Sequence, residues 1–247
     1  MNSKVIAAAI LGTIAGAIGG FMLANSLNRS EVNALRALAE DRPAASQNTN
    51  RPDDSMNINI DEIKAKVAEA DANPTNFGFQ KSLGIALYRY GTLKRDAAIV
   101  DEAVRLLQRA NGIDAKDYDV IVALGNSYFD LGYFRKESAN LKKSREYYKL
   151  ALDQRPKDAD VIADVALSYF LDEPADLSRS VEEFQKALQA NPKHERALTY
   201  LTQTYMRQGN FDEAGKVLEK LKAANPKNES IEELSRLIAA KEVPPIK

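Results

Sequence analysis

The sequence predicts an all-α protein: one membrane helix, a linker, then a solenoid of four helix pairs with flanking cap helices. Three observations predict it: a run of twenty uncharged residues near the N-terminus, a helical unit that recurs four times, and no expected strand. Apolar residues make up 45% and charged residues 28% of the 247 positions, both ordinary values, so the class comes from arrangement and not from content. The 34 Lys and Arg nearly balance the 35 Asp and Glu, and a net charge of -1 gives no general attraction for nucleic acid. Cysteine is absent, which excludes disulfides, thiol chemistry and thiolate metal sites.

The uncharged run is Val5 to Ala24, in a segment bounded as residues 1–25. At a rise of about 1.5 Å per residue, twenty helical residues cross the roughly 30 Å of bilayer hydrocarbon. A cleaved signal peptide is the competing reading, but its apolar stretch is usually shorter and ends in a small-x-small site. The best cut here, after Ala24, has Met22 two residues before it, which favours an uncleaved anchor. Gly12, Gly16 and Gly20 recur every four residues, a stripe that lets two membrane helices approach closely and form a homodimer. Arg29, Arg36 and Arg42 follow the run, and a literal positive-inside count puts the rest of the chain in the cytoplasm. Lys4 on a very short leading tail resembles instead a bacterial signal anchor, and an extracytoplasmic soluble domain is the expectation adopted.

Residues 26–57 form a juxtamembrane segment and linker. Leu27, Val32, Leu35 and Leu38 offer a thin apolar stripe, and Asp41 to Asn57 is polar, carries two prolines and shows no apolar period. Such composition buries too little apolar surface to offset the entropy of ordering.

From residue 58 to 241 the chain repeats itself. The pairs Leu83-Gly84, Leu124-Gly125, Val165-Ala166 and Leu201-Thr202 recur at spacings of 41, 41 and 36 residues, each followed at three residues by Leu87, Tyr128, Tyr169 or Tyr205. Gly91, Gly132 and Gly209 are expected to close the first helix of their units, with Glu173 in that place in the third. A second helix then carries small, bulky and again typically small residues on one face: Ala103, Leu107, Ala110; Ser144, Tyr148, Ala151; Ser180, Phe184, Ala187; Ala214, Leu218, Leu221. Prolines at 74, 156, 192 and 226 punctuate the ends, because proline disfavours helix in the residue before it. The units run over about 77–117, 118–158, 159–194 and 195–228, with a cap helix over 229–241 and a tail over 242–247. The first two are each seven residues longer than the fourth. Two extra helical turns, starting the second helix early, are expected to absorb the difference.

The order Leu-Gly, Tyr, Ala, Phe, Pro resembles the tetratricopeptide repeat (TPR) family, and the likeness runs from Ile60 to Lys241. The resemblance implies a superhelix whose first helices line a concave groove. By that resemblance the residues five beyond each Leu equivalent face the groove: Tyr88, Phe129, Phe170 and Met206. Two beyond lie Ile85, Asn126, Leu167 and Gln203, with Lys81, Arg89, Tyr200 and Arg207 nearby. Aromatic surface with an amide and several donors suits an extended or helical peptide. Family members that grip a C-terminal carboxylate use Lys, Asn and Arg over three repeats. Lys81 and Asn126 match loosely, but Asp160 and Asp164 stand in the next unit where cations belong, so that grip is not expected. The run NIDEIKAKVAEADANPTN also looks like the helix preceding the repeats in bacterial cytochrome c assembly proteins, which present apocytochrome to a haem-attachment machine.

No catalytic, cofactor or metal site is expected. His194, the single histidine, follows Asn191-Pro192-Lys193 at a helix start and is expected to be exposed. Asp53-Asp54 and Glu182-Glu183 fall in the linker or on solvent faces, and no phosphate-cradling glycine loop follows a strand. Lys142, Lys143, Arg145 and Lys149 form a basic run that reads as a solvated face or a contact with lipid headgroups. The expected function is therefore a bacterial, membrane-anchored adaptor with a protein or peptide partner. The alternatives are a self-associating structural protein and a cytochrome c assembly type of chaperone.

Overall fold

The computed structural model describes residues 60–244. The anchor of residues 1–25, its Gly12, Gly16 and Gly20 stripe, the segment 26–57 and the last three residues lie outside that range. Among the described residues there are ten α-helices and no strand, and no helix is long and apolar enough to cross a membrane.

The chain divides into two compact units, one ending at Val120 and one starting at Ile121. The first contains α1 (Ile60–Ala72), α2 (Phe77–Lys94), α3 (Ala97–Ile113) and the opening turn of α4 (Tyr118–Arg135). Asn76 and Asp96 supply side-chain oxygens to the first amides of α2 and α3, each cap contributing about 1 kcal/mol. Helix α2 packs on α1 and α3. Gln80 is buried and donates to the carbonyls of Ala70 and Asn73, at 2.6 and 3.1 Å, which satisfies the end of α1. Asp71 at the same end accepts from Arg105 at 2.6 Å and Arg109 at 2.5 Å, and Arg105 holds its carboxyl below the usual carboxylate range.

The second unit holds the rest of α4, then α5 (Ser138–Gln154), α6 (Ala159–Phe170), α7 (Leu177–Ala190), α8 (Glu195–Arg207), α9 (Phe211–Ala224) and α10 (Ser230–Ala240). Asp158, Asp176, His194 and Asn210 cap α6 to α9 in turn. Helix α8 packs against α7 and α9 and also against α6 and α10, so the first helices of successive pairs meet one another directly. The core gathers Phe170, Phe184, Leu198, Leu201, Met206, Leu218 and Leu221.

One expectation is corrected. Gly91 and Gly132 do not close their helices: α2 and α4 run on to Lys94 and Arg135 and end at left-handed residues, Arg95 and Lys136. The glycines are needed for close approach. A Cβ on Gly91 would lie 2.7 Å from Val100 Cγ2, and one on Gly132 would lie 2.8 Å from Leu141 Cγ. The extra residues of the first two repeats therefore lengthen both helices, with 18 residues in α2 and α4 against 12 and 13 in α6 and α8, and 17 in α3 and α5 against 14 in α7 and α9. Gly209, at φ +75, does follow the end of its helix, in the conformation glycine adopts without steric cost.

Candidate functional site

Helix α8 buries Ala197, Leu198, Leu201, Thr202, Thr204 and Met206. Residues at spacings of four, three and four then fall on one opposite stripe: Arg196, Tyr200, Gln203 and Arg207. All four are half-buried, so the stripe is open to solvent along one side while its roots are packed.

Each member except Gln203 has fixed packing or polar neighbours. Tyr200 stacks on the buried Phe184 ring, centroids 6.3 Å apart, and meets the edge of Phe170 at 5.8 Å. Burial pushes its phenol above the ordinary tyrosine range. Arg207 lies over the Phe170 ring, 4.6 Å from its centroid, and donates from Nη1 to the Phe170 carbonyl at 2.8 Å. Arg196 reaches Asp164 Oδ1 at 2.6 Å and the Asp160 carbonyl at 3.3 Å. Burial works against the charge on Arg196, but Asp164 and Asp160 hold it above the usual arginine range. The partner responds in the opposite direction: Asp164 is 2% exposed, and burial lifts it to about 7 against the pull of Arg196.

His194 departs from expectation. It is 8% exposed, not solvent-facing, because it does two jobs at the start of α8. Its Nδ1 accepts from the Ala197 amide at 3.1 Å, and Nε2 lies 3.0 Å from Asp160 Oδ1. An Nδ1 that accepts leaves the ring proton on Nε2, which donates to the carboxylate and holds Asp160 below its ordinary range. Sequence reasoning missed this pair and the Arg196–Asp164 pair. The signal was present: Asp160 and Arg196 are 36 residues apart, the spacing of the third and fourth repeats.

The other residues predicted to line the site are distributed as follows. Phe170 at 3% and Met206 at 0% exposure are core side chains, since a bulky group at this position reaches into the neighbouring repeat. Phe129 is half-buried against the same core, and Leu167 is buried. Asn126 is buried and accepts from the Tyr148 hydroxyl at 2.9 Å. In the first unit Tyr88 is buried while Ile85 and Arg89 are half-buried on α2. Lys81 bridges Asp117 and Asp119 at 2.9 and 2.7 Å. Burial opposes its charge, yet the two carboxylates outweigh it and raise the Nζ above the usual lysine range.

The basic run of α5 is largely occupied. Arg145 pairs with Asp172 at 2.9 Å and lies over the Tyr169 ring, Lys149 pairs with Asp153, and Lys143 reaches Glu146 at 3.4 Å. Among the described residues no group of three or more histidines, aspartates or glutamates is placed to hold a metal ion.

Two family models described as tetratricopeptide repeat match the chain, over residues 125–158 and 175–239. The fold is similar to the crystal structure of MamA, at 19% identity over 67% of this chain and 88% of that one, with a TM-score of 0.53. It is also similar to a thermophilic TPR protein of Thermus thermophilus, at 18% identity, covering 73% and 88% of the two chains with a TM-score of 0.52. MamA of Desulfovibrio magneticus RS-1, from residue 41 to its end, gives 17% identity, coverage of 69% and 88%, and a TM-score of 0.51. At these identities the likeness is one of fold. No curated protein matches the chain in sequence.

Proposed function

We propose that this tetratricopeptide-repeat protein is a non-enzymatic scaffold that holds a protein partner by an extended peptide segment laid along α8. The observation that carries the reading is the stripe of Arg196, Tyr200, Gln203 and Arg207, half-buried donors and an aromatic ring in one line. Eleven residues of helix separate its ends, about 16 Å, the reach of roughly five extended peptide residues. Tyr200 and Arg207 are held by Phe184 and Phe170, and Arg196 by Asp164, so little side-chain freedom remains to be lost on binding. Phe170 supports this face from beneath, against Tyr200 and Arg207.

The uncharged run from Val5 to Ala24 supports a membrane tether, and Lys4 on its very short leading tail favours the extracytoplasmic side for the repeats. Tethering raises the effective concentration of a partner in the same membrane, so a modest affinity suffices. The spacing of Gly12, Gly16 and Gly20 favours a second reading, self-association through the anchor.

Crosslinking and affinity capture of the intact protein from its native membrane test the proposal, with a Tyr200→Phe/Gln203→Ala variant alongside. Both changes keep the packing of α8. A partner captured by the wild type and lost by the variant supports the α8 face. Equal capture by both moves the site elsewhere, and recovery of this chain alone favours self-association.

A further inference from the structure

We propose that the segment held along α8 carries an aspartate or glutamate, whose side-chain carboxylate is received by Arg207. This rests on the peptide-binding reading above and names the chemistry that the peptide must bring.

Three arginines of the second unit are half-buried: Arg145, Arg196 and Arg207. Two of them have a carboxylate, Asp172 at 2.9 Å and Asp164 at 2.6 Å. Arg207 alone of the three has none among the described residues; its one polar partner is the Phe170 carbonyl. The consequence for its charge is consistent, since burial pushes Arg207 below the ordinary arginine range with no acid to offset it. A partly desolvated cation without a counter-ion raises the free energy of the unliganded protein, and an arriving anion removes that cost. Nη1 is engaged, and the remaining N–H groups of the guanidinium form the fork that receives a carboxylate through two parallel hydrogen bonds. The Phe170 ring beneath it restricts the plane of that fork.

A side chain fits better than a chain end. Terminal carboxylates are gripped by several cations converging on one point, whereas Arg196 is already committed to Asp164 and Asn126 to Tyr148. One uncompensated cation matches one carboxylate. Tyr200 and Gln203, on the preceding turns of the same stripe, are left for the flanking side chains and backbone of the peptide.

The test is fluorescence anisotropy on the full chain in lipid nanodiscs, with four dye-labelled alternating peptides. Leu-Glu, Leu-Gln and Leu-Lys peptides are blocked at both ends, and a second Leu-Gln peptide keeps a free C-terminus. The Leu-Glu peptide should bind about tenfold more tightly than blocked Leu-Gln. That preference should fall to near unity in Arg207→Gln, which keeps a donor for the Phe170 carbonyl, and persist in part in Arg207→Lys. Thermal unfolding of both variants reports whether the fold is retained. Equal affinity of the wild type for Leu-Glu and blocked Leu-Gln, or a preference that survives Arg207→Gln, overturns the inference while peptide binding stands. A free C-terminus that matches Leu-Glu overturns the side-chain assignment. If no peptide binds, the peptide-binding reading fails and takes the inference with it.

Discussion

Arg196 touches only one oxygen of Asp164: Oδ1 lies 2.6 Å from the guanidinium, and Oδ2, equally buried, has no hydrogen-bond partner. Deleting the cation leaves a buried carboxylate alone, and such deletions typically cost about 3 kcal/mol or more. The carboxyl is already lifted to about 7 by burial, and loss of Arg196 lifts it further. A raised carboxyl binds its proton more tightly in the folded state than in the unfolded one. Its ionisation therefore costs the fold progressively as pH rises from the unfolded value of 3.8, the penalty is complete above the folded pKa, and it disappears as pH falls back toward 3.8. Arg196→Leu should thus be strongly destabilised in urea at pH 8 and much less so at pH 5. Asp160, shifted downward, stays ionised across that window and does not contribute to the difference. A loss independent of pH would show that Asp164 does not titrate there.

Two glycines in helices should respond in opposite ways to alanine. A Cβ on Gly125 would lie 2.6 Å from Tyr148 Cε1, on a ring fully buried and hydrogen-bonded to Asn126. Gly125→Ala should cost roughly 1–3 kcal/mol by overpacking. Gly215 in α9 has nothing within 4 Å of the new Cβ, so Gly215→Ala should gain up to about 1 kcal/mol from helix propensity. Urea midpoints of the two variants check the contrast.

His194 holds the first turn of α8 through Nδ1 and joins it to α6 through Nε2. Replacement by alanine removes both contacts, and the cap alone is worth about 1 kcal/mol. Asparagine restores the cap acceptor but not the reach to Asp160, so His194→Asn should fall between the wild type and His194→Ala in thermal unfolding. Equal stability of the two variants would show that the cap carries nothing.

In the first unit, Lys81→Met should remove the bridge between α2 and the Asp117 and Asp119 carboxylates. The pair is partly exposed, so the cost should stay near 1 kcal/mol and shrink in high salt. Asp117 also accepts from the Val120 amide, a cap that the variant leaves in place. An unchanged urea midpoint at low salt would refute the contribution.

The helix pairs were legible because the repeat encodes close approach. Gly84 faces Leu107 and Gly125 faces Tyr148, the bulky residues that the sequence pattern had placed on the second helix. Helix ends marked by proline were also readable, since a backbone constraint is local. What the pattern concealed was contact between repeats. Whether Phe170 faces a groove or fills a gap depends on the size of Tyr200 and Arg207 in the first helix of the next repeat, thirty or more residues away. The burial of His194 depends in the same way on Asp160, because an isolated histidine at a helix start has no reason to be covered. The glycines at 91 and 132 misled for a related reason: a small residue near a helix end is chosen there for the neighbour it admits, and the helix continues past it.

The last carbonyl of α6 is held by a side chain from another helix, Arg207, and not by an amide of its own turn. A guanidinium that swings toward an incoming anion must loosen that grip. The Phe170 carbonyl carbon is then a reporter built into the scaffold. Its 13C resonance and its amide I frequency should shift as the site fills, so occupancy becomes readable at one isotopically labelled atom, with no probe attached to either molecule.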